Sequence, residues 1–99
     1  MTIFAVERSL PGISMEALAG AQAAAIRASA EAPEPVRYIR SVFIPGDARC
    51  FCLFEAGSAD AVRQVNDAAG LPYAAVSEAL DLPNPGAGPR GQSPIPKEG

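Results

Sequence analysis

The sequence has 99 residues, of which 48% are hydrophobic and 6% aromatic, and it contains neither tryptophan nor histidine. This length and hydrophobicity predict one globular domain whose core is largely aliphatic. The net charge is −3, without the clustered basic residues that nucleic acids require, and no apolar run approaches the ~20 residues of a membrane span. We therefore expect neither a nucleic-acid partner nor a membrane partner.

The amino terminus and the cysteine content favour a cytoplasmic protein. The segment "MTIFAVERSLPG" has no basic region, and its apolar patch is too short for a signal peptide. Reduced thiols are expected in that compartment. The lack of histidine excludes Ser-His and Cys-His nucleophile pairs and removes the commonest transition-metal ligand.

The first half of the domain predicts a strand, a helix and a hairpin. Residues 2–10 are β-branched and aromatic at their start and end at a Pro-Gly turn, which predicts a strand. Residues 14–32 have Ser14 as a candidate N-cap and apolar residues at helical spacing, and Pro33 stops this helix. Residues 36–56 hold two strand-like runs around a Pro-Gly-Asp turn.

The second half predicts a helix over 57–70, with Ser58 as N-cap and Gly70 just after the last turn, and then a fourth strand within 74–82. The element order β-α-β-β-α-β predicts a ferredoxin-like α+β sandwich, with a four-stranded antiparallel sheet and both helices on one face. The remaining residues, 83–99, are rich in proline and glycine, which predicts a disordered tail after a domain spanning 1–82.

The third strand carries the motif "CFC" and is apolar on both faces. Cys50, Cys52 and Phe54 alternate with Phe51 and Leu53. Two helices cover only one face of the sheet, so a second copy of the chain is expected to cover the other, as a homodimer of the dimeric α+β barrel kind.

The two cysteines themselves are predicted to be core residues. They share a face of the strand at a spacing that disfavours a disulfide. A metal site would need further soft or imidazole ligands, and the chain has no other cysteine and no histidine.

Polar side chains within apolar strands are better candidates for a site. Unpaired burial of such charges costs several kcal/mol. They should therefore pair with one another, for example Glu7 or Glu78 with Arg40, lie at the rim of the sheet, or line a solvated cavity. A carboxylate facing an apolar cavity would have a raised pKa and could act as a general base.

The chain resembles a family of small bacterial ferredoxin-like proteins of unknown function that includes a nickel-binding protein. The resemblance covers residues 3 to 82 and rests on "VERSLPG", "CLFEA" and "AVRQVNDAAGLPYAAVSEAL". Family members commonly carry a histidine near the positions of Arg40 and Ser41 and another at the position of Val65, and this chain has neither. The residues that match the family pattern are Glu7, Arg8, Cys52, Glu55, Gly70 and Glu78.

These observations predict a protein that binds a small polar or anionic ligand in a cavity between the sheet and its dimer partner. The predicted ligand contacts are Arg40, Arg8, Ser41 and Cys52, with no cofactor and no metal ligand. The alternative is a cofactor-independent lyase, isomerase or cyclase. It would use Glu7 or Glu78 as base, Arg40 to stabilise negative charge and Tyr38 as hydrogen-bond donor. Weak binding of a divalent metal such as nickel is a third possibility.

Overall fold

The computed structural model describes residues 1–82, and the predicted tail over 83–99 lies outside the described residues. Four strands and two helices follow one another in the predicted order. Their bounds are β1 Thr2–Ser9, α1 Met15–Glu31, β2 Val36–Ile44, β3 Arg49–Ala56, α2 Ala59–Ala68 and β4 Ala75–Ala79.

Both helices begin at the serines that the sequence indicated. The Ser14 hydroxyl accepts a hydrogen bond from the Ala17 amide at 3.0 Å, and the Ser58 hydroxyl accepts one from the Ala61 amide at 3.1 Å. Each contact satisfies an amide that the first helical turn leaves without a carbonyl partner. Gly70 follows α2 with φ of 72°, a left-handed conformation that favours glycine at the end of a helix.

The four strands form one sheet in the order β2-β3-β1-β4, and every neighbouring pair is antiparallel. With two helices, this order and connectivity give the ferredoxin-like fold, which confirms the predicted fold class. Neither α1 nor α2 combines the length and hydropathy needed to span a membrane.

The two faces of the sheet differ in burial. On the face toward the helices, hereafter the helix side, β1 and β3 contribute side chains that alternate with those of the opposite face. The core cluster of the described residues consists of Phe4, Val6, Ala25, Cys50, Cys52, Phe54, Ala56, Ala61, Val62 and Val65. The two cysteines are therefore buried core residues with free thiols, as predicted.

The opposite face, hereafter the open face, is not covered by either helix of the described residues. Phe51 and Leu53 of β3 are half-buried there, and Val42 and Ile44 of β2 are exposed. Arg40 also lies on this face because it is paired with Leu53 in the sheet register. The apolar character of the open face follows directly from the strand patterns in the sequence.

Candidate ligand-binding site

A bulge in β2 creates the local geometry of the site. The register steps from Tyr38 opposite Phe54 to Arg40 opposite Leu53, so that Ile39 is the extra residue. In a regular strand, residues 38 and 41 would point to opposite faces. The bulge places Tyr38 and Ser41 together on the helix side, where their hydroxyl oxygens are 2.7 Å apart.

These two hydroxyls belong to a chain of hydrogen bonds that runs from α1 to β3. The Gln22 side-chain amide donates to the Tyr38 hydroxyl at 2.9 Å, and the Ser41 hydroxyl donates to Cys52 Sγ at 3.0 Å. Because the one proton of Ser41 goes to sulfur, Tyr38 must be the donor in its contact with Ser41. The chain continues to Cys50, whose Sγ lies 3.8 Å from that of Cys52.

Arg8 of β1 is a buried cation beside this chain of hydrogen bonds. The residue is 3% exposed, and its guanidinium donates to Asn66 Oδ1 at 2.7 Å and to the carbonyls of Leu71 and Pro72 at 3.3 and 3.1 Å. All three acceptors are neutral. No carboxylate within residues 1–82 forms an ion pair with Arg8. Asn66 is held in turn by its own hydrogen bond to the Val62 carbonyl at 2.9 Å.

A cavity of about 200 Å³ lies between α1 and the helix side of the sheet, and Arg8 lines it. Ser41, Cys50 and Cys52 line the same cavity from β2 and β3, and Gln22 lines it from α1. The rest of the lining is apolar: Leu10, Met15, Leu18, Ala19, Ala21, Ala25, Phe43 and Leu71.

The thiol of Cys50 is held in its neutral form by its surroundings. Burial raises the pKa of this thiol to about 11, and neighbouring Cys52 adds to the rise, while the positive charge of Arg8 opposes it. At neutral pH, Cys50 is therefore neither a nucleophile nor a ready thiolate ligand.

The predicted ligand contacts divide between the two faces. Arg8, Ser41 and Cys52 meet at the cavity on the helix side, whereas Arg40 lies on the open face and forms an ion pair with Asp81. Because β2 and β4 are opposite edges of the sheet, about 14 Å apart, this pair bridges the open face. Its arginine side chain is 54% exposed, so the pair contributes at most about 1 kcal/mol to stability.

The three predicted catalytic residues do not converge on one point. Glu7 faces the open side and pairs with Arg49 at 3.1 Å, not with Arg40. Glu78 is exposed on the edge strand β4, opposite Phe4 in the register. Tyr38 is on the helix side, where it contacts Phe54 edge-on at a centroid distance of 5.6 Å. The described residues thus do not assemble a carboxylate base, Tyr38 and Arg40 into one active site.

The sequence did not indicate several residues of the site, among them Asn66 and Leu71. Asn66 had a detectable signal, because it follows Val65 on the apolar face of α2 and a polar side chain there must find a partner. Leu71 lines the cavity, and its carbonyl oxygen accepts a hydrogen bond from Arg8. A backbone contact of this kind cannot be predicted from the pattern of side chains.

The fold and this site define a small α+β protein with a ferredoxin-like sheet and a cavity between that sheet and α1. The family model of the nickel responsive protein SCO4226-like family matches residues 4–79. The chain therefore belongs to the SCO4226-like family.

One solved structure illustrates the similarity of fold. The crystal structure of SCO4226 from Streptomyces coelicolor A3(2) superposes with a TM-score of 0.71 at 24% sequence identity, covering 81% of this chain and 99% of that one. A comparison with curated proteins found no match.

Proposed function

We propose that this protein binds a small anionic ligand in the cavity between α1 and the sheet, with Arg8 as the charge contact. The observation that carries this proposal is the buried residue Arg8, which lines a cavity and has no ion-pair partner within residues 1–82. Ser41 and Cys52, which the sequence also indicated, lie on the same wall.

The buried charge of Arg8 has an energetic cost. Removing a cation from water costs several kcal/mol, and hydrogen bonds to neutral oxygens offset only part of that cost. An anion in the cavity would supply the missing opposite charge at short range. Some N–H groups of Arg8 have no acceptor in the described part of the chain. The anion would also accept charge-assisted hydrogen bonds from these groups.

Calorimetric titration with acetate, benzoate and phosphate tests the proposal. We expect at least one anion to bind the wild-type protein and Arg8→Met to weaken that binding by about 1.5–3 kcal/mol, because a charge-assisted contact is lost. Arg49→Met is the matched control, since Arg49 lies on the open face. Arg8→Lys keeps the charge and is a second variant in case Arg8→Met does not fold. Absence of binding by the wild type, or an equal loss in the Arg49 variant, would refute the proposal.

Nickel is named in the description of the family, and the donor set of this chain does not fit a nickel site. The sequence has no histidine, and residues 1–82 hold no group of three His, Cys, Asp or Glu side chains that could surround a metal. The buried Cys50 thiol is neutral at pH 7 because its pKa is raised to about 11. Imidazole nitrogen is a suitable ligand for divalent nickel, and this chain has no histidine to provide it.

We therefore expect nickel to bind weakly or not at all. Calorimetric titration of the protein with nickel at neutral pH, in the presence of a non-chelating reducing agent, measures this directly. The binding of one equivalent with a dissociation constant below about 1 μM would contradict the expectation.

We also propose that the open face is covered by a second copy of this chain. Val42 and Ile44 are exposed on the open face. In the segment after β4, Leu80 and Leu82 are 84% and 81% exposed. The charges on this face are paired within the chain, so a partner would not bury an isolated charge. Self-association would therefore remove apolar surface from water at little electrostatic cost.

Sedimentation equilibrium tests this second proposal. We expect a dimer at micromolar concentrations and a shift toward monomer in Val42→Glu, which places an unpaired charge in the contact. Ala23→Glu, an exposed position on α1, is the control that should leave the mass unchanged. A wild-type protein that remains at 10.2 kDa over the whole concentration range would exclude the dimer.

A further inference from the structure

We infer that the ligand of the cavity is a compact apolar monocarboxylate, of which benzoate is the simplest aromatic example. The inference rests on the proposed function, since it assumes that an anion binds at Arg8. It adds the number of negative charges, the geometry of the anionic group and the nature of the rest of the ligand.

The charge of the lining selects a monoanion. Arg8 is the one charged residue among the described residues that line the cavity, so the site provides a single positive charge. A monoanion would be neutralised by it. A phosphate dianion would bring a surplus negative charge against a largely apolar wall, where an uncompensated charge is costly.

The hydrogen bonds of Arg8 leave donors that a carboxylate can use. The guanidinium has five N–H groups and makes three hydrogen bonds to described residues, all of them from its two terminal nitrogens. At least two N–H groups, including the one on Nε, therefore have no acceptor in the described part of the chain. A planar guanidinium holds its N–H groups in a fixed fork, and a carboxylate can accept hydrogen bonds from two of them.

Apart from the exposed Gln22 amide, which donates to Tyr38, the remaining polar groups of the wall are largely engaged with one another. The proton of Ser41 goes to Cys52, and the Ser41 oxygen accepts from Tyr38, as the order of the hydrogen-bond chain requires. Cys50 is a neutral thiol, which is a weak hydrogen-bond partner. A ligand carrying several hydroxyl groups would therefore bury polar atoms without good partners, at a cost for each one.

The size and the apolar residues of the cavity define the body of the ligand. A volume of about 200 Å³ equals the share of about seven water molecules in the liquid. Side chains of Leu10, Leu18, Phe43 and Leu71 surround this space. A small ring or a branched chain attached to the carboxylate would fill it and gain the burial of its apolar surface. Acetate would leave most of this wall without contact.

Four probes separate the parts of the inference by calorimetric titration of the full chain at pH 7. Benzoate has both features, benzamide keeps the ring without the charge, acetate keeps the carboxylate without the ring, and phosphate has a higher charge. We expect benzoate to bind at least about tenfold more tightly than each of the other three, which corresponds to one charge-assisted or apolar contribution of about 1.4 kcal/mol.

A pair of substitutions on α1 locates the binding without altering Arg8. Ala21 lines the cavity, so Ala21→Leu should fill part of it and weaken benzoate at least about tenfold, an amount that corresponds to about 1.4 kcal/mol. Ala23→Leu makes the same change at an exposed position outside the cavity and should leave the affinity unchanged. Equal effects of the two substitutions would overturn the assignment to this cavity.

The outcomes distinguish the inference from the proposed function. If acetate or phosphate binds as tightly as benzoate and Arg8→Met abolishes that binding, the anion site stands and the inference of an apolar monocarboxylate fails. If benzamide matches benzoate and Arg8→Met has no effect, both fail. If no anion binds, both fail as well.

Discussion

Asn66→Leu is expected to lower the free energy of unfolding by about 3 kcal/mol, because it removes an acceptor from a buried cation. Asn66 has no exposed surface, and its Oδ1 atom receives the 2.7 Å hydrogen bond from Arg8. Leucine is branched at the same atom as asparagine, is larger and has a higher helix propensity, so the expected loss comes from the missing acceptor and some crowding, and not from a cavity or the backbone. Urea unfolding followed by circular dichroism measures the change.

Two comparisons give this prediction its specificity. Gln64→Leu changes an exposed position of the same helix and should alter stability by no more than about 0.5 kcal/mol. The double variant Arg8→Met/Asn66→Leu should be more stable than Asn66→Leu alone, because removing both partners leaves no buried charge without its acceptor. A double variant whose losses simply add would show that Arg8 and Asn66 are not energetically coupled.

Phe54→Ala is expected to cost about 4 kcal/mol, since it empties the centre of the helix-side core. Phe54 has no exposed surface and packs edge-on against Tyr38. The loss combines the transfer free energy of the ring with the cavity that it leaves, and the second term depends on how far the neighbours can collapse. Thermal unfolding and urea unfolding should give the same decrease in the free energy of unfolding, as expected for a two-state domain of this size.

Phe51→Ala is the matched control for this substitution. Phe51 belongs to the same strand but lies on the open face, where it is half-buried. At low protein concentration, we expect it to cost less than half as much as Phe54→Ala. Equal losses for the two substitutions would contradict the assignment of the two faces.

Much of the fold could be predicted from local patterns. Ser14 and Ser58 start helices because their hydroxyls replace missing carbonyl partners, an effect that acts over three residues. The alternation through Cys50, Cys52 and Phe54 identified one face of β3 because side chains in a strand alternate with a period of two. Signals of this kind depend on neighbours in the chain, so the sequence contains them in full.

The composition of the candidate site could be predicted only in part. Arg8, Ser41 and Cys52 were recognised as polar or matching residues, and they do meet at one cavity. The placement of Ser41 on the same side of the sheet as Tyr38 depends on the bulge at Ile39, which no residue type in β2 indicates. An extra residue in a strand reverses the facing of everything beyond it, so one irregularity decides which side chains share a cavity.

The sequence by itself determined the order of the elements, the two helix starts, the antiparallel hairpin and the apolar character of both faces of β3. Only the tertiary structure decided the partners of the charged residues. Arg8 forms a hydrogen bond with Asn66, which is 58 residues away in the sequence, and Arg40 forms one with Asp81, which is 41 residues away. Contacts at such separations depend on strand order and loop paths, which are set by the packing of the whole domain. A local pattern can therefore reveal that a buried charge needs a partner, but it cannot identify that partner.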